Sequence, residues 1–169
     1  LTVLKEFVTS LPKENFIYYG DTLHLPYGPR QLTDVEKFVR EITDFLIEKK
    51  NIKAIVLACN TATSVSLEMV KKNYNIPVFG TIRSATKKAI NVTENNKIGV
   101  IGTEGTVNSQ AYQQSLLEYN KNLEVYSVAC PKFVDLVEEG KFNGPDVEKM
   151  IDKYLTGLKD TGIDVLILG

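Results

Sequence analysis

The chain has 169 residues, 20 of them Lys or Arg and 21 Asp or Glu, and a formal net charge of −1, which leaves no basic footprint for nucleic acid or an anionic membrane surface. Hydrophobic residues make up 43% and charged residues 24%, the balance of a folded protein, with enough chain for one ordinary domain or two small ones. No apolar run approaches the roughly 20 residues of a membrane span, no signal peptide is visible, and two cysteines with one histidine argue against a disulfide framework or a zinc site, so a reducing cytoplasm is the expected setting.

Leu1 to Ser10 has helical spacing through Val3, Leu4, Phe7 and Val8, and Leu11-Pro12 stops it. Phe16-Ile17-Tyr18-Tyr19 is expected as a short strand ending at Gly20-Asp21. The stretch Thr22 to Arg30 follows, in which Pro26-Tyr27-Gly28-Pro29 holds the backbone in a fixed, non-repetitive shape. Such a loop after a strand end either presents backbone N–H groups to a ligand or is an ordinary rigid turn. Thr33-Asp34-Val35-Glu36 has the capping-box pattern that opens a helix. Val35, Phe38, Val39, Ile42, Phe45 and Leu46 then form one apolar stripe, which Asn51 ends.

Ala54-Ile55-Val56-Leu57-Ala58 is an unbroken apolar run followed by Cys59-Asn60-Thr61. It reads as a strand buried on both faces of a parallel sheet. Cys59 then falls at the strand's C-terminal end, where open α/β sheets place their ligands. The next helix would aim free N–H groups and the positive end of its dipole at the sulfur, a setting that lowers a thiol's pKa. The other reading of Cys59 is a buried packing residue. His24, the only imidazole, could act as its base, although no third orienting group is identifiable.

Ala62, Val65 and Met69 share one face of that helix. Ile76-Pro77-Val78-Phe79 is a further strand, and Ala85, Ala89 and Ile90 mark another helix. The polar stretch Asn91 to Asn96 is the expected domain boundary, dividing the chain into residues 1–93 and 94–169. Strand Ile98 to Ile101 runs into Gly102-Thr103-Glu104-Gly105-Thr106, expected to open a helix carrying Asn108, Ser109, Ala111, Tyr112, Leu116 and Tyr119. Its glycine spacing fits neither phosphate-binding fingerprint, and a carboxylate at the same helix start stays open. Leu123 to Val128 is a strand, Cys130 before Pro131 is expected to pack, and Glu138 and Glu139 end a short helix. Pro145 opens the last helix, and Val165 to Leu168 is the last strand.

Alternating strands and helices imply an α/β fold of two similar doubly wound, parallel-sheet domains. Lys53-Ala54-Ile55-Val56-Leu57-Ala58 is echoed by Asp164-Val165-Leu166-Ile167-Leu168-Gly169, as though two halves each offered a strand end to a shared cleft. Beginning without methionine and stopping directly after a strand, the chain is expected to be a fragment cut at both ends, with each domain incomplete.

Several segments together resemble the cofactor-independent glutamate racemases of the aspartate/glutamate racemase superfamily. They are Tyr18-Tyr19-Gly20-Asp21-Thr22, Pro26-Tyr27-Gly28-Pro29-Arg30, Leu57-Ala58-Cys59-Asn60-Thr61-Ala62, Ile98-Gly99-Val100-Ile101-Gly102-Thr103 with Gly105-Thr106, Ala129-Cys130-Pro131, and Leu136-Val137-Glu138-Glu139-Gly140, in the family's order. The resemblance implies an active site between two α/β domains, glutamate as substrate, no PLP, no metal, and two cysteines facing opposite sides of the substrate Cα. It makes Cys59 one catalytic thiol and Glu138, or its neighbour Glu139, a carboxylate assisting the second half-site. It assigns substrate binding to Asn60, Thr61, Tyr27 and Gly28. It further implies a homodimer, and D-glutamate supplied to peptidoglycan. The alternatives are a racemase of aspartate or another acid, and a non-catalytic member of the fold that binds a carboxylate or a protein. Two family motifs are not in the chain, an Asp-Ser-Gly segment before Leu1 and a Cys-Thr-His segment after Gly169. Gly80-Thr81-Ile82-Arg83-Ser84-Ala85 departs from the family's Gly-Val-Ile-Glu-Pro-Gly, placing Arg83 where an acid is common.

Overall fold

The structure is a computed structural model and describes residues 2–169, so that Leu1 lies outside the described residues. In chain order it forms α1 (Thr2–Ser10), α2 (Leu32–Lys50), β1 (Ile55–Leu57), α3 (Asn60–Asn73), β2 (Val78–Gly80), α4 (Ile82–Val92) and β3 (Lys97–Gly102). There follow α5 (Glu104–Asn108), α6 (Ala111–Tyr119), β4 (Glu124–Ala129), α7 (Pro131–Glu138), α8 (Pro145–Lys159) and β5 (Val165–Leu168). Both proline-led helices carry the ring in their first turn, where its missing N–H costs nothing.

Two parallel sheets organise these elements. In the first, β1 pairs with β2, Ile55 beside Val78 and Leu57 beside Gly80. In the second, β3 is central, with β4 on one side and β5 on the other. Helices make every connection between paired strands, as parallel pairing requires. Within each sheet the strands of the described residues therefore point their C-terminal ends the same way, and the loops at those ends gather the polar residues described below.

Val35, Val39, Ile55, Leu57, Val70 and Val78 form the core of the first sheet. Ile98, Val100, Leu116 and Ile167 form that of the second, and Ile82 and Ala89 of α4 pack into it with Tyr112. The link from α4 to β3 is tied down by Asp164, at the approach to β5. Its carboxylate accepts from Thr93 Oγ1 at 2.7 Å and from the backbone N–H groups of Glu94 at 2.6 Å and Asn95 at 3.0 Å.

Four local expectations are corrected. Phe16 to Tyr19 form no strand and are 37–59% exposed, because no neighbouring strand among the described residues offers their backbone a ladder. The capping box does not form, since α2 starts earlier, at Leu32, with Gln31 at the N-cap and no side-chain cap. β1 is not covered on both faces, for Ile55 and Leu57 are buried but Val56 is 39% exposed. The helix expected across Ser109 is broken into α5 and α6 by Gln110 in the left-handed region, with φ 55°. Ser109 stabilises that break, donating from its hydroxyl to the Thr106 carbonyl and accepting from the Ala111 N–H. At the other end of α2, Asn51 supplies the left-handed residue that stops it, with φ 47°.

Candidate active site

Cys59 follows β1 and sits at the N-cap of α3 with an exposed side chain. The first hydrogen bond of α3 runs from Thr63 N–H to the Cys59 carbonyl at 2.8 Å. The N–H groups of Asn60, Thr61 and Ala62 therefore precede the intrahelical ladder and share the helix end with the sulfur. The packing alternative for this thiol does not hold in the structure.

Asn60 is anchored from two directions. Its amide oxygen accepts from Thr81 Oγ1 at 2.6 Å, just beyond β2, and from the Tyr112 hydroxyl at 2.9 Å, on α6. Burial pushes the Tyr112 phenol up to about 12, so it stays protonated and donating at neutral pH.

Thr61 is 3% exposed, and its hydroxyl belongs to a triangle. Thr61 Oγ1 lies 2.9 Å from Thr103 Oγ1 and 3.2 Å from Thr106 Oγ1, which are 3.1 Å from each other. Thr103 is the N-cap of α5 and accepts from the Thr106 N–H at 3.2 Å. Through this triangle the start of α3, on the first sheet, is bound to the start of α5, on the second.

The Pro-Tyr-Gly loop closes over the same place. The Gly105 N–H donates to the Gly28 carbonyl at 3.2 Å. A Cβ on Gly28 would come 2.9 Å from Thr103 Cβ, and one on Gly105 would come 3.0 Å from Thr61 Cγ2, so both glycines are needed for the approach. Tyr27 donates its hydroxyl to Asp21 Oδ2 at 2.6 Å. Asp21 also accepts from the His24 backbone N–H at 3.3 Å and from its Nδ1 at 2.9 Å. The His24 ring stacks on Phe38 of α2 at 3.8 Å, and Arg30 Nε donates to the His24 carbonyl at 2.5 Å. Burial raises the Tyr27 phenol well above its ordinary range, and the bond to Asp21 and the negative charge of its carboxylate add to it. Burial also acts to raise the Asp21 carboxyl, but donation from Tyr27 and His24 outweighs it and holds the group below its ordinary value.

The structure thus brings together Cys59, Asn60, Thr61, Tyr27 and Gly28. It does not bring Glu138 to them: that side chain is exposed at the end of α7, without a hydrogen bond to this group among the described residues, and Glu139 pairs with Lys141 at 2.7 Å. His24 is engaged by Asp21 and Phe38 and makes no hydrogen bond to Cys59 among the described residues. Cys130 is 3% exposed, with its Sγ 3.7 Å from the Val128 carbonyl, and burial pushes its pKa up. Sequence reasoning missed Asp21, Thr81, Thr103, Thr106 and Tyr112. The i, i+3 pair of threonines at the start of α5 was the one local signal available. Among the described residues no group of three or more His, Cys, Asp and Glu could hold a metal ion, and no helix is long and apolar enough to cross a membrane.

A thiol, an amide and a hydroxyl at one strand end, met by a loop docked on the neighbouring sheet, make a polar cluster where the two parallel sheets of an α/β protein meet. The chain belongs to the Asp/Glu/Hydantoin racemase family, whose model matches residues 3–169. It is 46% identical over 169 residues to a glutamate racemase from Listeria monocytogenes and 47% identical to one from Enterococcus faecalis. Those alignments cover 100% of this chain and 63% and 62% of the relatives, so the chain spans less than two thirds of their length. Among solved structures, the glutamate racemase isoform RacE1 from Bacillus anthracis superposes with a TM-score of 0.90 at 39% identity, over 99% of this chain and 62% of that one. The glutamate racemase from Francisella tularensis in complex with D-glutamate also gives a TM-score of 0.90, at 37% identity and the same two coverages.

Proposed function

We propose that this protein interconverts L- and D-glutamate by a cofactor-independent proton transfer between two thiols, of which Cys59 is one. Inverting an α-carbon requires a proton to leave one face and another to arrive on the opposite face. Two bases in opposite protonation states are therefore needed. A thiol serves either role, since its ordinary pKa of about 8.5 lies close to working pH. The observation that carries the reading is the exposed sulfur of Cys59 beside an Asn60 amide whose oxygen is already engaged by Thr81 and Tyr112. That amide offers its N–H groups to a ligand. Together with the N–H groups at the start of α3 and the Tyr27-Gly28 loop, it forms a preorganised set of donors for a carboxylate whose charge grows as the α-proton leaves.

The second thiol in this reading is not Cys130, which is buried under the second sheet's helices. It is the cysteine of the Cys-Thr-His segment that the resemblance expects beyond Gly169, with Glu138 assisting that half-site. The division into residues 1–93 and 94–169, the homodimer, the cytoplasmic setting and the delivery of D-glutamate to peptidoglycan belong to the same proposal. The bound D-glutamate of the Francisella tularensis structure supports the choice of substrate.

The test is chiral analysis of L-glutamate incubated with the full-length protein, without added PLP or metal. D-glutamate should accumulate to near parity. Inversion of aspartate alone, or no inversion of any acidic amino acid, would reject the reading.

A further inference from the structure

We propose that Tyr112 is a positioning residue: with Thr81, it fixes the Asn60 side chain so that its amide N–H groups, and not its oxygen, face the ligand. The inference rests on the reading of Asn60 as a ligand-binding donor. An asparagine side chain carries an acceptor at one end and two donors at the other, and a rotation of the amide plane exchanges them. A substrate carboxylate needs the donors. At Asn60 the oxygen is occupied twice, by the Thr81 hydroxyl at 2.6 Å and the Tyr112 hydroxyl at 2.9 Å, which uses both of its lone pairs.

The two donors come from different sheets. Thr81 follows β2 and lies near Thr63 of α3, whose hydroxyl donates onward to the Leu57 carbonyl at 2.8 Å. Tyr112 stands in the core of the second sheet at 3% exposure, so its ring has little freedom to turn away. Its neighbour at the end of β5 is Gly169, where a Cβ would come 3.0 Å from Tyr112 Cε2 and 2.8 Å from the Ile101 carbonyl oxygen. The absence of a side chain there leaves room for the ring. Asn60 is therefore set correctly only when both sheets are in place, and the hydroxyl of a core tyrosine transmits the position of the second sheet to the binding group of the first.

The experiment compares full-length wild-type protein with Tyr112→Phe, Thr81→Val and Thr81→Ser. Steady-state kinetics with glutamate are measured beside the side-chain amide NMR signals of Asn60. Tyr112→Phe and Thr81→Val should each raise KM and lower kcat/KM about three- to tenfold, the usual effect of one lost hydrogen bond, with a smaller change in kcat. Thr81→Ser, which keeps the hydroxyl, should restore the wild-type KM. In Tyr112→Phe the Asn60 amide signals should move toward those of a free, mobile asparagine. The NMR readout needs no turnover, so the two levels separate. A wild-type protein without racemase activity, in which Tyr112→Phe still loosens Asn60, would reject the racemase reading and keep the positioning role. An unchanged KM and an unchanged Asn60 amide in Tyr112→Phe would overturn the positioning role, even if the variant melts earlier. Should Tyr112→Phe fail to fold, Thr81→Val and Thr81→Ser decide by the same readouts, equal KM values in the two overturning the shared anchor.

Discussion

The Tyr27 hydroxyl donates to Asp21 Oδ2 at 2.6 Å, and this bond holds the Pro-Tyr-Gly loop in the shape that meets α5. Asp21 is the hub, since it also accepts from His24, whose ring rests on Phe38. The carboxyl titrates below the ordinary aspartate value of 3.8 in the folded protein. Its stabilising effect is therefore fully present above that value and is lost as pH falls through the lower, folded-state pKa. Asp21→Asn should destabilise the protein by about 1.5–3 kcal/mol at neutral pH, the usual worth of a hydrogen bond to a charged group. The difference from wild type should shrink as the pH falls from about 4 toward 3. Denaturant melts of both proteins across that range check it.

Gly28→Ala should damage binding through packing. The added Cβ would stand 2.9 Å from Thr103 Cβ, a branch point and not the flexible end of a side chain. Either the loop lifts off α5, breaking the bond from Gly105 N–H to the Gly28 carbonyl, or the threonine triangle shifts. Overpacking of this kind costs about 1–3 kcal/mol. Thermal melting should show that loss, and the KM for glutamate should rise with it.

The two cysteines should differ sharply toward an alkylating reagent. Cys59 is exposed at a helix N-terminus, whereas Cys130 is 3% exposed and its thiol is held protonated by burial. Mass mapping after a short iodoacetamide pulse should find Cys59 modified and Cys130 untouched until denaturant is added. Saturating glutamate should protect Cys59.

Much of the fold was legible in the sequence because its signals are local. The stripe from Val35 to Leu46 records one helix face, and the apolar runs at Ile55 and Ile98 mark two strands. Cys59, Asn60 and Thr61 were legible because a strand end followed by a helix start is itself a local pattern. What could not be read is which distant hydroxyl meets which amide. Thr81 and Tyr112 lie 21 and 52 residues from Asn60, and Thr106 lies 45 from Thr61. Tyr112 looked like one more apolar position of a helix, and it is one, but its hydroxyl also reaches Asn60. The left-handed turn at Gln110 left no mark, since neither glycine nor asparagine stands there. Phe16 to Tyr19 have the composition of a strand, yet a strand exists only beside a partner, and composition does not name the partner.

In the proposed reaction the Cys59 sulfur moves the α-proton on one face of glutamate. This is tested most directly by following Cα deuteration and inversion of L- and D-glutamate in D₂O, with full-length wild-type and Cys59→Ser proteins. Wild type should invert both isomers and carry solvent deuterium into each product. Cys59→Ser should keep its fold and lose inversion by a factor of about 10² or more, as for removal of a positioned acid–base group. Full racemisation in both directions by Cys59→Ser would show that another group moves that proton.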